Sequence, residues 1–175
     1  MQRNRSKDWD AILDSAKSGD FESIPSDVLI HCYNSLSRIR SDFARPTGIE
    51  KEVYVFWGDT GTGKSRDAWQ LSGLGAYPKN PRTKWWDGYR GQECVVIDEF
   101  RGDIDVANLL RWFDRYPVLV EIKGSSLPLS ANKIWITSNL SPRQWYPTLD
   151  EKTVEALLRR LKVTHYNSLI NNNLS

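Results

Sequence analysis

Residues 58–65 read GDTGTGKS and follow directly on the apolar run VYVFW, residues 53–57. Gly58, Gly61 and Gly63 fall within six positions, poor material for a helix or a strand, and they leave backbone N–H groups without regular partners. Such a loop is useful where something anionic accepts those groups. With Lys64 and Ser65 the stretch satisfies G-x4-G-K-[ST] between an apolar strand and a helix, which is the context that pattern requires. The N–H groups of Thr60, Gly61, Thr62, Gly63, Lys64 and Ser65 are therefore expected to surround phosphates at a helix N-terminus, where the helix dipole also favours negative charge. Lys64 is expected to reach the β- and γ-phosphates and the Ser65 hydroxyl to ligate Mg²⁺, so ATP and Mg²⁺ are the anticipated cofactors.

Working outward, the chain alternates apolar runs with helical patterns. EVYVFW reads as a buried strand, Ser65 to Leu71 as a helix, ECVVID as a second buried strand and Val106 to Tyr116 as another helix. Then follow VLVEI, KIWITS, a helix from Thr153 to Leu161 and a strand near KVTHY. Continuous apolar strands separated by helices predict a parallel sheet covered on both faces, an α/β P-loop fold. VEIKGSSLPL departs from the pattern: two short extended pieces flank a Lys-Gly-Ser-Ser turn as in a hairpin.

Before the sheet, Trp9, Ile12, Leu13 and Ala16 recur at helical spacing up to Gly19, and a longer stripe runs from Leu29 to Phe43 ahead of Pro46. The expected organisation is a small all-α oligomerisation unit over residues 1–48, a P-loop domain over 49–167 and a disordered tail over 168–175. The helical unit packs either on its own sheet domain or on neighbouring subunits; spacing leaves both open.

Composition adds bounds. The 175 residues are 39% hydrophobic and 26% charged with a net charge of +2, enough apolar content for a core and no bias toward or against a polyanion. The two cysteines, Cys32 and Cys94, fit no disulfide framework or zinc pattern. No segment approaches the roughly 18 consecutive apolar residues of a membrane span, and the chain is expected to be intracellular and to have no membrane partner.

A phosphate cradle calls for an acidic partner. VVIDE carries Asp98 and Glu99 to the carboxyl end of a buried strand, the edge that faces the ligand crevice in open α/β sheets. Asp98 suits the Mg²⁺ shell, and Glu99 suits orienting or deprotonating a water, which favours hydrolysis over transfer to another substrate. IWITSN ends another apolar strand on Asn139, whose amide both donates and accepts. In EALLRRLK, Arg159 and Arg160 point about 100° apart on a helix, so no more than one serves any single face.

The ordered set GDTGTGKS, KWWDGYRGQECVVIDEF, DRYPVLVEIKGSSLPLSANKIWITSN and ALLRRL resembles the helicase half of replication-initiator proteins of circular single-stranded DNA viruses, of the circovirus and nanovirus type. The resemblance covers roughly residues 50 to 165. It implies a superfamily 3 helicase of the AAA+ class, acting as a homo-oligomeric, hexameric ring that couples ATP hydrolysis to movement on single-stranded DNA during rolling-circle replication in the host nucleus. It implies Lys64, Glu99 and Asn139 as catalytic, with Arg160 reaching a neighbouring subunit's nucleotide and Arg159 as the alternative. It also makes the hairpin the DNA-binding element, with Lys123 at its tip and Ser125, Ser126 and Lys133 as further contacts.

Trp85, Trp86 and Tyr89 are read as core groups rather than base-stacking ones. The family's nuclease needs a paired-histidine site and a tyrosine nucleophile, whereas His31 and His165 stand alone here, so this chain is not expected to nick or join DNA. Rival readings are a small P-loop phosphotransferase, for which no arginine-bearing lid is evident, and a nucleotide-binding assembly or packaging module, against which Glu99 and Asn139 argue.

Overall fold

A computed structural model describes residues 7–167. In chain order its elements are α1 (Trp9–Ser18), α2 (Ser26–Phe43), β1 (Glu52–Gly58), α3 (Lys64–Ser72), β2 (Tyr77–Pro78), β3 (Cys94–Ile97) and α4 (Val106–Trp112). They continue with β4 (Leu119–Ile122), β5 (Ser125–Pro128), β6 (Lys133–Ser138), α5 (Pro142–Trp145), α6 (Glu151–Leu158) and β7 (Leu161–Tyr166). The sheet order is β2-β3-β6-β1-β7 with every neighbouring pair parallel, and β4 and β5 form a separate antiparallel ribbon. This is the parallel α/β sheet with flanking helices, its glycine loop between β1 and α3, that the sequence predicts.

Alternation along the strands divides the interior into two layers. Val53 and Val55, Val95 and Ile97, and Ile134 and Ile136 face a large core with α4, the ribbon and Trp86. Phe56, Val96 and Trp135 face a smaller core under Ala68 of α3. Because β6 lies between β1 and β3 with Trp57 opposite Ser138 and Ile97 opposite Ile136, three loops emerge side by side from one sheet edge. Those loops begin at the phosphate cradle, at Asp98 and at Asn139.

The helical unit has its own core of Ile12, Ala16, Ile24, Val28 and Leu36. Asp8 caps α1 by accepting from the Ala11 N–H at 3.0 Å, and Gly19 ends it. The unit meets the ribbon: the Ser41 hydroxyl donates to the Ser126 carbonyl at 2.9 Å and accepts from its N–H at 3.2 Å. One hydroxyl thus occupies both backbone groups of an edge-strand residue.

Several elements differ from expectation. α4 stops at Trp112 rather than Tyr116: Pro117 disfavours helical backbone at Tyr116, and the segment between is held by the linker, Lys51 donating to Asp114 O at 2.8 Å and the Ile49 N–H to Arg115 O at 2.9 Å. The last helix runs Glu151–Leu158, not to Leu161, since the Asp150 side chain caps it through the Thr153 N–H at 3.0 Å and Leu161 pairs with Val53 in the sheet. β2 and α5 are additions that the sequence pattern does not signal. The two cysteines are half-buried in separate clusters, Cys32 against the helical core and Cys94 against the smaller sheet layer. Trp86 and Tyr89 lie in the core, as expected, whereas Trp85, also expected there, is only half-buried and joins none of the core clusters. The expected tail falls outside the described residues, and among those described no helix is long and apolar enough to cross a membrane.

Lys79 is a buried cation beside that core. Its ammonium donates to Asn80 O at 2.8 Å and lies 5.6 and 5.3 Å from the ring centroids of Trp86 and Trp112. Burial pulls its pKa down to about 8, with Asp87 opposing the shift.

Candidate active site

The cradle begins where β1 ends. A Cβ on Gly58, at φ 146, would stand 2.1 Å from the Tyr166 carbonyl oxygen, so this glycine is demanded by the neighbouring strand as well as by the loop. Gly61 and Gly63 hold left-handed backbone at φ 80 and φ 89, and Gly63 is the N-cap of α3. The loop thereby reverses between strand and helix with its N–H groups at the helix start.

Lys64 is 7% exposed. Its ammonium donates to the carbonyls of Gly58 and Asp59 at 2.9 and 2.6 Å and to the Thr62 hydroxyl at 3.3 Å. Burial lowers its pKa from the usual lysine range, against the opposing pull of Asp59, Asp98 and Glu99. The Ser65 hydroxyl donates to Asp98 Oδ1 at 2.7 Å, joining cradle to acidic strand. Hydroxyl and carboxylate oxygens are the hard donors Mg²⁺ takes, so this pair fits that ion, and the glycine loop with its lysine fits a triphosphate.

Thr137, on β6, is a site residue that the sequence does not single out. Its hydroxyl donates to Asp98 Oδ1 and accepts the Glu99 N–H at 2.9 Å. Those bonds fix a turn in which Glu99 takes φ 57, the one non-glycine residue at positive φ among the described residues. Such backbone in a non-glycine residue costs roughly 1–2 kcal/mol and persists where surrounding bonds determine it. Here the strain leaves the Glu99 side chain exposed at the cleft. Ser138, buried next to Thr137, donates to Phe100 O at 2.6 Å and accepts from Trp145 Nε1 and the Leu140 N–H, both at 3.0 Å. It locks the loop that carries Asn139, whose amide donates to Thr60 Oγ1 at 3.4 Å across the cleft.

The structure therefore brings Thr60, Gly61, Gly63, Lys64, Glu99 and Asn139 to one cleft of about 210 Å³. Arg159 and Arg160 lie elsewhere, beside the start of β7 at the opposite end of the strands. Arg160 is half-buried, paired with Asp114 at 2.6 Å and donating to Ala156 O at 2.5 Å. Arg159 is exposed, and its side chain has no hydrogen bond or ion pair among the described residues.

The ribbon turns over two residues, Lys123 and Gly124, with Ile122 paired to Ser125. Asp87 accepts the Lys123 N–H at 2.8 Å and faces its ammonium at 3.8 Å. The Trp86 N–H donates to Glu121 O at 2.8 Å, and Lys84 pairs with Glu121 at 3.0 Å. Residues 84–89 thus brace one side of the ribbon and α2 the other. Lys123 and Ser125 stand at the tip, and Ser126 is engaged by Ser41. Lys133 is not on the ribbon; it is the first residue of β6, between Glu52 and Cys94 of the adjoining strands.

A family model described as RNA helicase matches residues 54–140. The replication-associated protein of porcine circovirus 2 is 48% identical over 110 residues, 62% of this chain and 35% of that protein. Those of porcine circovirus 1 and canary circovirus are 44% identical over 115 residues and 38% over 122, spanning 37% and 41% of their lengths. The chain thus spans little more than a third of the first relatives it matches. Among solved structures, Hsp104 with ATPγS and casein aligns at TM-score 0.45 and 16% identity over 95% of this chain and 37% of its own. The JCV helicase aligns at TM-score 0.41 and 16% identity over 94% and 47%.

Proposed function

The chain belongs to the replication-associated proteins of circovirus type, and on that premise, with residues 54–140 matching the RNA-helicase family model, we propose that it is the ATP-driven DNA helicase or translocase of a viral rolling-circle replication initiator. The observation that carries this reading is the meeting of three separate loops in one cleft, joined by the Ser65–Asp98 hydrogen bond at 2.7 Å and the Asn139–Thr60 contact at 3.4 Å.

In this reading the cradle's N–H groups and Lys64 bind the triphosphate, and Ser65 and Asp98 hold Mg²⁺. Bound between that hydroxyl and carboxylate, the ion would supply neutralisation of phosphate charge. Glu99 accepts a proton from the attacking water, and Asn139 accepts from that water while donating to the γ-phosphate. Thr137 keeps Asp98 and the Glu99 backbone in place.

The arginines act between subunits. β1 runs from Glu52 to Gly58, about 20 Å at 3.3 Å per residue, and separates Arg159 and Arg160 from their own cradle. Only a neighbouring copy can offer its phosphates to them, which supports a ring, taken as hexameric by family likeness. Arg159's exposure favours it over Arg160 as the group that reaches across, with Arg160 and Asp114 bracing the segment. Lys123 makes the channel contact to single-stranded DNA, and the helical unit contributes to assembly.

The test is ATP hydrolysis with and without oligo(dT). DNA-stimulated turnover is expected, and Lys64→Ala is expected to abolish it. Normal hydrolysis by that variant removes the cradle assignment, and turnover indifferent to DNA favours the assembly-module reading.

A further inference from the structure

Beyond the ribbon tip lies a cleft of about 520 Å³ between the tip and α2. Its ribbon wall carries Lys123 and Ser125, and its helix wall carries Tyr33, Asn34 and Arg38. Asn34, Arg38 and Ser41 are spaced i, i+4, i+7, so they form one stripe on the helix. Ser41 is the end of that stripe that grips Ser126, fixing the helix beside the ribbon. From that anchor the ribbon rises toward Lys123 as the helix runs back toward Asn34, so Arg38 and Lys123 face the same space from opposite sides.

The charge in this cleft is one-sided. Arg38 and Lys123 are both exposed, and no carboxylate is among the described residues lining it. Asp87, which does not line the cleft, faces the Lys123 ammonium at 3.8 Å. Tyr33 is 45% exposed, with Phe21 packed edge-on at 5.9 Å. Two cations, hydroxyl and amide donors and an accessible ring are the groups that hold a single-stranded phosphodiester and stack a base.

We propose that the cleft between α2 and the ribbon tip is a single-stranded DNA subsite in which Arg38 grips the backbone together with Lys123, Tyr33 offering a face to a base. The proposal rests on the DNA-translocase reading and extends the grip from the ribbon to the helical unit. The helical unit then meets the substrate directly and moves with the ribbon that Ser41 latches to it.

The experiment is binding of fluorescein-labelled oligo(dT) across a salt series by the whole chain and its Arg38→Ala, Arg38→Lys, Asn34→Lys and Lys123→Ala variants, with solution mass measured alongside. Removing one cation–phosphate pair lowers the slope of log K against log salt by about 0.7 for a single strand. Arg38→Ala is expected to flatten the slope by at least that amount, Arg38→Lys to restore it, and Asn34→Lys, which adds a cation one turn away, to steepen it. If Arg38→Ala and Asn34→Lys both keep the parent slope while Lys123→Ala weakens binding, the helix wall takes no part and the cleft proposal fails alone. If Lys123→Ala also binds normally, the translocase reading of the ribbon fails with it.

Discussion

At the scale of single residues, chemistry is placed by groups that never touch the substrate. Thr137 uses one hydroxyl twice, donating to Asp98 and accepting the Glu99 N–H at 2.9 Å, and so sets the Asp98 carboxylate and the Glu99 backbone. Thr137→Val keeps the shape and removes both bonds. Turnover is expected to fall about 10–100-fold with a raised Mg²⁺ requirement, the scale for groups that orient metal ligands, and Thr137→Ser is expected to recover most of it. Unchanged kinetics in a Mg²⁺ titration would show that Asp98 holds its position unaided. Asp98 and Glu99 are readable in the sequence because the apolar run VVI changes abruptly to DE. Thr137 is not, since a threonine near the end of IWITS counts equally as a strand former. Glu99's strained backbone is hidden too, because its cause lies 38 residues away.

Elements are readable where their cause is local. Gly19 ends α1, Pro46 bounds α2 and the ribbon follows from Lys-Gly-Ser-Ser between extended runs. The end of α4 is not, because the segment after Trp112 is held by Ile49 and Lys51, linker residues more than 60 positions away. The brace at residues 84–89 is half visible: core burial of Trp86 and Tyr89 follows from the sequence, but the contact of Asp87 with the tip does not. Asp87 both orders the turn and partly neutralises Lys123. Two substitutions separate those effects. Asp87→Asn keeps an acceptor for the Lys123 N–H and removes the charge, so oligo(dT) binding is expected to tighten by up to about fivefold, the range of an exposed ion pair. Asp87→Ala loses the acceptor as well and is expected to bind about 2–10-fold less tightly than Asp87→Asn, one hydrogen bond's worth. Equal affinities in a titration would mean that the bond does not order the tip.

At the scale of the molecule, the sheet is both frame and spacer. Its carboxyl edge collects the cradle, the acidic pair and Asn139, while the opposite end carries the two arginines, roughly 20 Å off at β1's length. Helical spacing shows that at most one arginine serves a given face, but not which, because the choice depends on Asp114, 46 positions from Arg160. The half-buried Arg160–Asp114 pair predicts that Arg160→Ala loses stability, by about 1–3 kcal/mol for an uncompensated, charge-assisted bond. Thermal melts are expected to place Arg160→Ala clearly below the parent and Arg159→Ala within about 0.5 kcal/mol of it, as for an exposed side chain. The functional half of the prediction needs two chains. Arg159→Ala lacks the reaching guanidinium and Glu99→Gln lacks the base, so each alone is expected to be nearly inactive. In a mixed ring, an intact Glu99 site on one subunit can meet an intact Arg159 from its neighbour, and turnover is expected to reappear on mixing. If verified mixed rings recover nothing with Arg159→Ala but do recover with Arg160→Ala, the ion pair with Asp114 opens at the subunit seam and the two arginines exchange roles. Recovery with neither means that neither arginine completes a neighbour's nucleotide site, and the reading of the arginines as groups that act between subunits fails.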